Sequence, residues 1–180
     1  MTWPAVAKAA NPATGRRDAD ASGWGGSTPS NPNMYTGDLL MAYWLFKSEP
    51  STWNWDDQKA RGGAGEEWDG VRNYQARNFM REMKLGDRGF FYHSMKEKSV
   101  VGIVEVCAES HPDSTTDDPR WECVDIKAVR DFEVPVTLEQ IKAERGLADM
   151  VLVKNSRLSV QPVTEAEWLR ICEMGQTRPD

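Results

Sequence analysis

Cysteine and histidine are scarce in this chain of 180 residues, and their spacing suggests no shared site. The three cysteines, Cys107, Cys123 and Cys172, are odd in number and form no CxxC pair. We therefore expect reduced, mostly buried thiols in an intracellular protein. The two histidines, His93 and His111, stand at no ligand spacing from these cysteines. The sequence thus disfavours a structural zinc site, and we predict neither a bound metal nor a cofactor.

Long apolar runs are also missing. No segment approaches the ~18 apolar residues of a membrane-spanning helix, and no charged segment followed by an apolar one opens the chain as a secretory signal does. We expect a monomer without a membrane partner, built as one domain large enough to bury a core. The net charge of −6 argues against indiscriminate binding to phosphate backbones. The charge is uneven, because residues 70–100 carry seven bases against three acids.

Sequence signatures of catalysis are absent as well. The chain contains no GxSxG, GxGxxG or P-loop motif. His93 and Ser94 are neighbours on a predicted strand, so their side chains point to opposite faces and cannot form a nucleophile–base pair without a bulge. The carboxylate pairs at 56–57 and 117–118 are typical of helix and turn caps. We therefore predict that the protein is not an enzyme.

The most informative segment is residues 68–78, which combines two arginines, two asparagines, a tyrosine and a tryptophan. From Tyr74 onward two helical faces separate. The face with the spacing of a buried surface contains Ala76, Phe79, Met80 and Met83. The other face contains Tyr74, Arg77, Asn78 and Arg81. These planar, multi-donor side chains suit a planar ligand or a phosphate, and the alternative is that they cap a helix and pair with acids.

Eight tryptophans are present. Trp44 on a predicted strand and Trp168 on a predicted helix face fit burial in the core. Trp53, Trp55 and Trp68 lie in connections beside charged residues. Such aromatic side chains can line a slot that stacks a flat ring, or they can cover the core as a lid.

Residues 1–40 differ in composition from the rest of the chain. They are rich in Ala, Gly, Pro, Ser, Asn and Thr, so they bury too little apolar surface to offset the entropy of ordering. We predict a disordered tail or an upstream extension over 1–40, with Met41 as a candidate for the natural start. We predict a folded domain over 41–175 and a second disordered tail over 176–180.

The remaining pattern predicts about five strands and three or four short helices. The strands are expected at 43–47, 87–94, 99–109, 121–132 and 157–162, the second and third forming a β-hairpin. Helices are expected near 55–61 and 73–84 and after capping boxes that begin at Thr137 and Thr164. Period-2 strands without long crossover helices favour an α+β, mainly β fold, a small mixed β-barrel with peripheral helices, over a doubly wound parallel sheet.

Six of these segments, in order, resemble the EVE-domain family. The motifs are YWLFKSEP at 43–50, WDGVRNYQARN at 68–78, GD at 86–87, FYHS at 91–94, VGIVEV at 101–106 and RLSVQPV at 157–163. The resemblance covers residues 42–174 and implies a PUA-like fold, a small bent β-barrel with short flanking helices, distantly similar to YTH domains. It also implies a non-catalytic reader of modified nucleic-acid bases, notably modified cytosine in DNA. The segment 112–120 looks shortened relative to longer members of the family.

The matching positions imply a base-binding pocket. Its candidate residues are Lys47, Ser48, Glu49, Trp55, Arg72, Asn73, Tyr74, His93, Ser94 and Arg157. Because a duplex hides its bases, the target base must be unstacked and flipped, at a cost of a few kcal/mol. We expect Trp55 to stack on the base and Glu49 to accept a hydrogen bond from an exocyclic amine such as cytosine N4. We expect Ser48, Asn73 and Ser94 to hydrogen-bond the Watson–Crick edge, and the expected phosphate-binding residues are Arg77, Arg81, Lys84 and Arg157.

Other interpretations stay open at several positions. Lys47 and Glu49 could pair with each other. His93 could be a satisfied histidine of the barrel, Asn73 could be only a helix cap, and Arg157 could pair with an acid. At the level of function, DNA with modified bases is the favoured partner, an RNA-binding PUA-like module is the alternative, and a protein-interaction scaffold without nucleic-acid affinity is the third possibility.

Overall fold

The computed structural model describes residues 41–180, and the tail predicted over 1–40 lies outside the described residues. Within the described part the strands are β1 (Tyr43–Ser48), β2 (Glu66–Glu67), β3 (Arg88–His93), β4 (Ser99–Pro112), β5 (Glu122–Thr137) and β6 (Val160–Val163). The α-helices there are α1 (Trp55–Ala60), α2 (Tyr74–Glu82), α3 (Leu138–Ala143), α4 (Val151–Lys154) and α5 (Glu165–Met174). Short 3-10 helices occupy Gly62–Ala64 and Arg145–Leu147.

The strands build one mixed sheet in the order β2-β5-β4-β3-β1-β6. β1 and β3 are parallel neighbours, whereas the other pairs in this sheet are antiparallel. The predicted mainly β architecture with short helices is confirmed. Over residues 41–180 the sheet ends in two different edge strands, β2 and β6, so it has six strands and is not closed into the expected barrel. The extra strand, β2, has only two residues, too few for a strand pattern in the sequence.

The strands β3, β4 and β5 follow one another as antiparallel neighbours. The predicted β-hairpin of β3 and β4 is confirmed, and its turn holds Met95 and Lys98 at positive φ values of 64° and 44°. The pairing of β4 with β5 is interrupted by four register shifts. Such bulges bend a strand and change which side chains meet across the ladder.

Each face of the sheet covers a core. Phe46 of β1 belongs to the first core, which α2 covers, and Leu45 belongs to the second, which α5 covers. The predicted buried face of α2 is confirmed, because Ala76, Met80 and Met83 are fully buried and Phe79 packs against them. Trp44 and Trp168 are buried, as predicted.

The N-terminal caps of two late helices form as the sequence predicts. The side chains of Thr137 and Thr164 accept the backbone N–H of Gln140 and Glu167 at 3.2 and 3.3 Å, and both capping boxes are complete. Within residues 41–180, no helix combines the length and apolar character needed to cross a bilayer.

Residues 176–180 differ from the predicted disordered tail, because they are docked on the fold. The backbone N–H of Thr177 donates to the Cys172 carbonyl at 2.9 Å. The indole N–H of Trp168 donates to the Pro179 carbonyl at 3.0 Å. A buried indole N–H requires an acceptor, and the last residues supply it.

Candidate nucleic-acid interface

The carboxyl ends of the parallel strands β1 and β3 meet at one edge of the sheet, at Ser48 and His93. Ser94 donates its backbone N–H and its hydroxyl to the Ser48 carbonyl oxygen at 2.7 and 2.9 Å. The Ser48 hydroxyl donates to the Trp53 carbonyl at 2.5 Å. Two of the predicted base-reading residues, Ser48 and Ser94, are therefore in direct contact. Because each already donates to the backbone, their oxygens are placed to accept hydrogen bonds from a ligand.

The imidazole of His93 is held in one tautomer by its neighbours. Its Nε2 accepts the backbone N–H of Trp55 at 3.1 Å, so the ring proton lies on Nδ1, which bonds the Glu97 carboxylate. The ring is buried and both nitrogens have protein partners. The interpretation of His93 as a satisfied histidine is confirmed, and its contact with Trp55 fixes the start of α1.

Trp55, predicted to stack on a base, forms a buried wall of the site. Only 6% of its surface is exposed. Its indole N–H donates to Asp131 at 2.6 Å, and its ring centroid lies 5.1 Å from that of Phe91. Hydrogen bonds from Trp55 and Lys59 hold the pKa of Asp131 below its usual range. A base reaches Trp55 only at its exposed edge, so an open stacking face must come from side chains nearer the surface.

Lys47 is displaced from the hydroxyl pair by the alternation of β1. It shares the sheet face of Leu45 and Tyr92, and its amine lies 5.9 Å from the Tyr92 ring centroid. The amine donates to the Ser156 carbonyl at 3.0 Å. Burial lowers the pKa of Lys47 to about 8. Lys47 therefore borders the candidate site through the end of its side chain only.

The two other charged candidates at this edge are Glu49 and Arg157. Glu49 accepts from the Ser51 hydroxyl at 3.0 Å, so Lys47 and Glu49 each have a partner other than the mutual pair that the sequence left open. Arg157 is exposed just before β6, and no ion pair engages it within the described part of the chain. The arginine is accordingly available to a ligand phosphate.

Trp68 joins the motif at 68–78 to the strand ends. It is 7% exposed and packs edge-on against Phe46 and Phe91, with ring centroids 5.4 and 5.8 Å away. Trp68 therefore covers the first core as a lid. Residues two apart on a strand share a face, so Phe46 and Phe91 lie on the same face of the sheet as Ser48 and His93. The segment that follows Trp68 therefore begins on that face.

Arg72 is fixed by a buried carboxylate. Its guanidinium donates to Asp113 at 2.6 Å and to the Thr115 hydroxyl at 3.0 Å. Asp113 is 2% exposed and also accepts the backbone N–H of Gly70 at 3.0 Å. The segment 112–120 thus orients the motif, a contact that the sequence did not predict.

Asn73 begins α2. Its side-chain oxygen accepts the backbone N–H groups of Gln75 and Ala76 at 2.9 and 3.0 Å, so Asn73 caps the helix. The residue is exposed. Since the oxygen serves the helix, its amide NH₂ is the group that can contact a ligand.

Aromatic rings and guanidinium groups alternate on the surface beside α2. Tyr74 is 52% exposed and stacks on Trp121, with ring centroids 5.0 Å apart and planes 26° apart. The guanidinium groups of Arg72 and Arg77 lie 5.5 Å from the Trp121 centroid and 5.0 Å from the Tyr74 centroid. Arg120 donates to the Tyr74 hydroxyl at 3.4 Å. We call these five residues the aromatic–arginine surface.

Three of the four basic residues predicted to bind phosphates, Arg77, Arg81 and Lys84, already have partners. Arg81 donates to both carboxylate oxygens of Glu122 at 2.6 and 2.8 Å, and this hydrogen bonding lowers the pKa of Glu122. Lys84 pairs with Glu109 at 3.3 Å. Arg77 donates to the carbonyl of residue 120 at 2.9 Å. A phosphate at Arg81 or Lys84 must therefore replace a carboxylate.

Sequence reasoning missed two members of the aromatic–arginine surface, Arg120 and Trp121. It placed Trp121 inside a strand, whereas β5 begins one residue later. The signal that could have found them is a basic and an aromatic residue side by side at the end of a connection.

Comparison with known proteins bears out the resemblance drawn from the motifs. The sequence matches the family model of the EVE domain over residues 42–174. Thymocyte nuclear protein 1 of Mus musculus is 39% identical over 175 residues, which cover 79% of this chain and 77% of the mouse protein.

Two solved structures share the fold. A crystal structure of a protein from Agrobacterium tumefaciens has a TM-score of 0.75 at 62% identity, covering 76% of this chain and 94% of that chain. The crystal structure of human THYN1 in complex with DNA containing 5-methylcytosine has a TM-score of 0.71 at 35% identity, covering 77% of this chain and 99% of the human one.

Proposed function

The chain belongs to the EVE domain family, and from this membership we propose that it is a nucleic-acid-binding module that reads a flipped modified base without catalysing a reaction. Modified cytosine in DNA is the favoured target, in keeping with the DNA-bound human relative. The observation that carries the proposal is the aromatic–arginine surface, which residues 72–77 at the start of α2 form together with residues 120–121 before β5.

The energetic case for base flipping depends on stacking. Unstacking and unpairing a base costs a few kcal/mol, and stacking on an aromatic side chain returns ~1–3 kcal/mol per base. Tyr74 is the exposed ring of this surface. Because Trp55 and Trp68 are buried, we assign stacking to Tyr74 and Trp121, where the base takes the place of a guanidinium that now lies over one of these rings.

The edge of the base meets the polar groups at the strand ends. Ser48 and Ser94 present hydroxyl oxygens there, and the Asn73 amide supplies a donor. Glu49 accepts from an exocyclic amine, as cytosine N4 provides. His93 acts indirectly by holding Trp55.

Basic side chains hold the phosphates on either side of the flipped nucleotide. We assign this role to Arg157, Arg77 and Arg72, which border the site, with Lys47 at its margin. Arg81 and Lys84 join when phosphate displaces their carboxylate partners. With few such contacts and a net charge of −6, binding is expected to depend only moderately on salt.

Fluorescence anisotropy with a labelled oligonucleotide that carries one 5-methylcytosine tests the proposal. We expect tighter binding than to the unmodified oligonucleotide, and a loss of about 5-fold or more for Tyr74→Ala, because one stacking contact is removed. Leu85→Ala, which truncates another exposed apolar side chain, is the matched control. Equal binding of both oligonucleotides, together with no loss for Tyr74→Ala, would contradict base reading by this surface.

The competition between carboxylate and phosphate at Arg81 gives a second test. Glu122→Gln removes the charge that holds Arg81, so the affinity for DNA should rise about threefold, since an exposed ion pair is worth ~0.2–1 kcal/mol. Arg81→Gln should lower it. If neither variant changes the affinity, Arg81 binds no phosphate.

A competition between matched RNA and DNA oligonucleotides identifies the nucleic acid. Preference for RNA would replace the DNA assignment, and no binding to either would favour a protein-interaction scaffold. We expect a monomer at an intracellular location, the latter in keeping with relatives that are named as nuclear proteins.

A further inference from the structure

Three neighbouring strands bring metal-ligating side chains together on one face of the sheet. The register places His111 of β4 opposite Cys123 of β5, and Glu67 of β2 opposite Asp125 of β5. Cys123 and Asp125 alternate with residues of the first core, so they lie on the opposite face of β5. Ligand atoms of Glu67, His111 and Cys123 all lie within 4.8 Å of one another.

The separation of these atoms is close to that of a zinc centre. The Cys123 Sγ lies 3.8 Å from Nδ1 and 3.9 Å from Nε2 of His111. In a tetrahedral site with Zn–S of ~2.3 Å and Zn–N of ~2.0 Å, sulfur and nitrogen are about 3.6 Å apart. Because Asp125 takes Nε2, Nδ1 is the nitrogen left to bind an ion, and the imidazole must turn from the Pro112 carbonyl, 3.1 Å from Nδ1, to bring its lone pair and the sulfur onto one ion.

The cluster also has the supporting contacts of a metal site. Asp125 lies 2.8 Å from Nε2 of His111, the carboxylate–imidazole contact that orients histidine ligands. The Ser114 hydroxyl donates to the Glu67 carboxylate and orients that second ligand. The Cys123 thiol is fully buried, whereas His111 and Glu67 are half-buried, which leaves an approach for an ion.

We propose that Glu67, His111 and Cys123 bind a borderline divalent cation of the zinc class, with Asp125 holding His111 from behind. A thiolate together with an imidazole selects zinc over the hard cations magnesium and calcium, which take oxygen ligands. The protein supplies three ligands, and a water molecule completes the tetrahedron.

Two adjacent residues, Asp113 and Ser114, connect the cation site to the candidate nucleic-acid interface. Ser114, which orients Glu67, follows Asp113, which fixes Arg72 of the aromatic–arginine surface. A bound cation would tie β2, β4, β5 and this loop together. The cation site does not depend on the proposed function, because metal binding and base reading are measured separately.

Metal titration of the full chain, without an affinity tag, tests the proposal. We expect one equivalent of Zn²⁺ in competition with a chromophoric chelator. Co²⁺ should give a thiolate-to-cobalt charge-transfer absorption that is lost in Cys123→Ser. Cys172→Ser, which changes another buried thiol in the second core, is the matched control and should keep the absorption.

Two conservative variants test the proposal even if Cys123→Ser does not fold. Glu67→Gln should weaken Zn²⁺ binding about 10-fold or more, and Asp125→Asn about 10- to 100-fold, the usual effect of removing a supporting carboxylate. Binding below one equivalent, a cobalt complex without thiolate absorption, or unchanged affinity in both variants would overturn the proposal.

Discussion

At the scale of single residues, Asp113 shows how one carboxylate organises an exposed motif. It accepts hydrogen bonds from Gly70, Arg72 and Thr115, the last through both its backbone and its hydroxyl. Burial alone would raise the pKa of Asp113, but these hydrogen bonds outweigh it and hold the pKa below its usual range. Folding therefore favours the charged form.

Asp113→Asn should lower the free energy of unfolding by about 2–3 kcal/mol at pH 7, since hydrogen bonds to a charged group are lost. Because the folded pKa is depressed, this contribution is present above the unfolded value of ~3.9 and is lost as the pH falls through the folded pKa. Urea denaturation of both proteins between pH 7 and pH 2 measures it. A difference that stays constant down to the lowest pH would refute the linkage.

Gly102 is the residue that gives the Trp55 ring its space. A Cβ at this position would overlap Cζ2, Cε2 and Cη2 of the indole. Gly102→Ala should therefore displace Trp55 and destabilise the fold by about 1–3 kcal/mol. At Gly63 a Cβ meets nothing within 4 Å, so Gly63→Ala is the control. Equal urea midpoints for the two variants would show that Trp55 can move freely.

At the scale of secondary-structure elements, α2 depends on Asn73 for its first turn. Asn73→Ala should cost about 1 kcal/mol, whereas Asn73→Asp keeps the capping oxygen and should be nearly neutral. Both variants lack the amide NH₂ proposed to reach the base, but only the aspartate keeps the cap. We therefore expect Asn73→Asp to retain stability in thermal unfolding and to lose affinity for the modified oligonucleotide. Retained affinity would reduce Asn73 to a cap.

Local signals along the chain predict the type of most elements. The capping boxes at Thr137 and Thr164 predict their helices because the interacting groups are three residues apart. The burial of Trp55 was not predictable in this way. It depends on Gly102 and Asp131, which are distant in sequence and meet Trp55 only in the folded chain.

The candidate metal cluster also depends on residues that are distant in sequence and meet only in the folded chain. Neither Cys123 nor His111 shows ligand spacing in the sequence, and a register shift between Ala108 and His111 decides that the two face each other. Glu67 joins from a strand of two residues. Sequence spacing disfavoured a structural zinc site because spacing detects only ligands that short segments supply.

At the scale of the whole molecule, the last residues close the second core. Deleting 176–180 removes the acceptor of the Trp168 indole and the hydrogen bonds of Thr177. We expect a loss of about 2–4 kcal/mol, since a buried donor is left without a partner. Urea denaturation measures this loss, and deletion of Asp180 alone is the control. An unchanged midpoint for the longer deletion would mean that the docked end contributes nothing to stability.

The parallel pairing of β1 with β3 predicts the order in which the strands pair during refolding. β3, β4 and β5 are joined by short connections and can zip together from neighbouring segments. β1 can add to β3 only after the intervening segment 49–87 has closed a long loop, which delays this step. We therefore expect a refolding chain to gain most of its strand content before the ends of β1 and β3 meet, so that the ability to bind a ligand is acquired last.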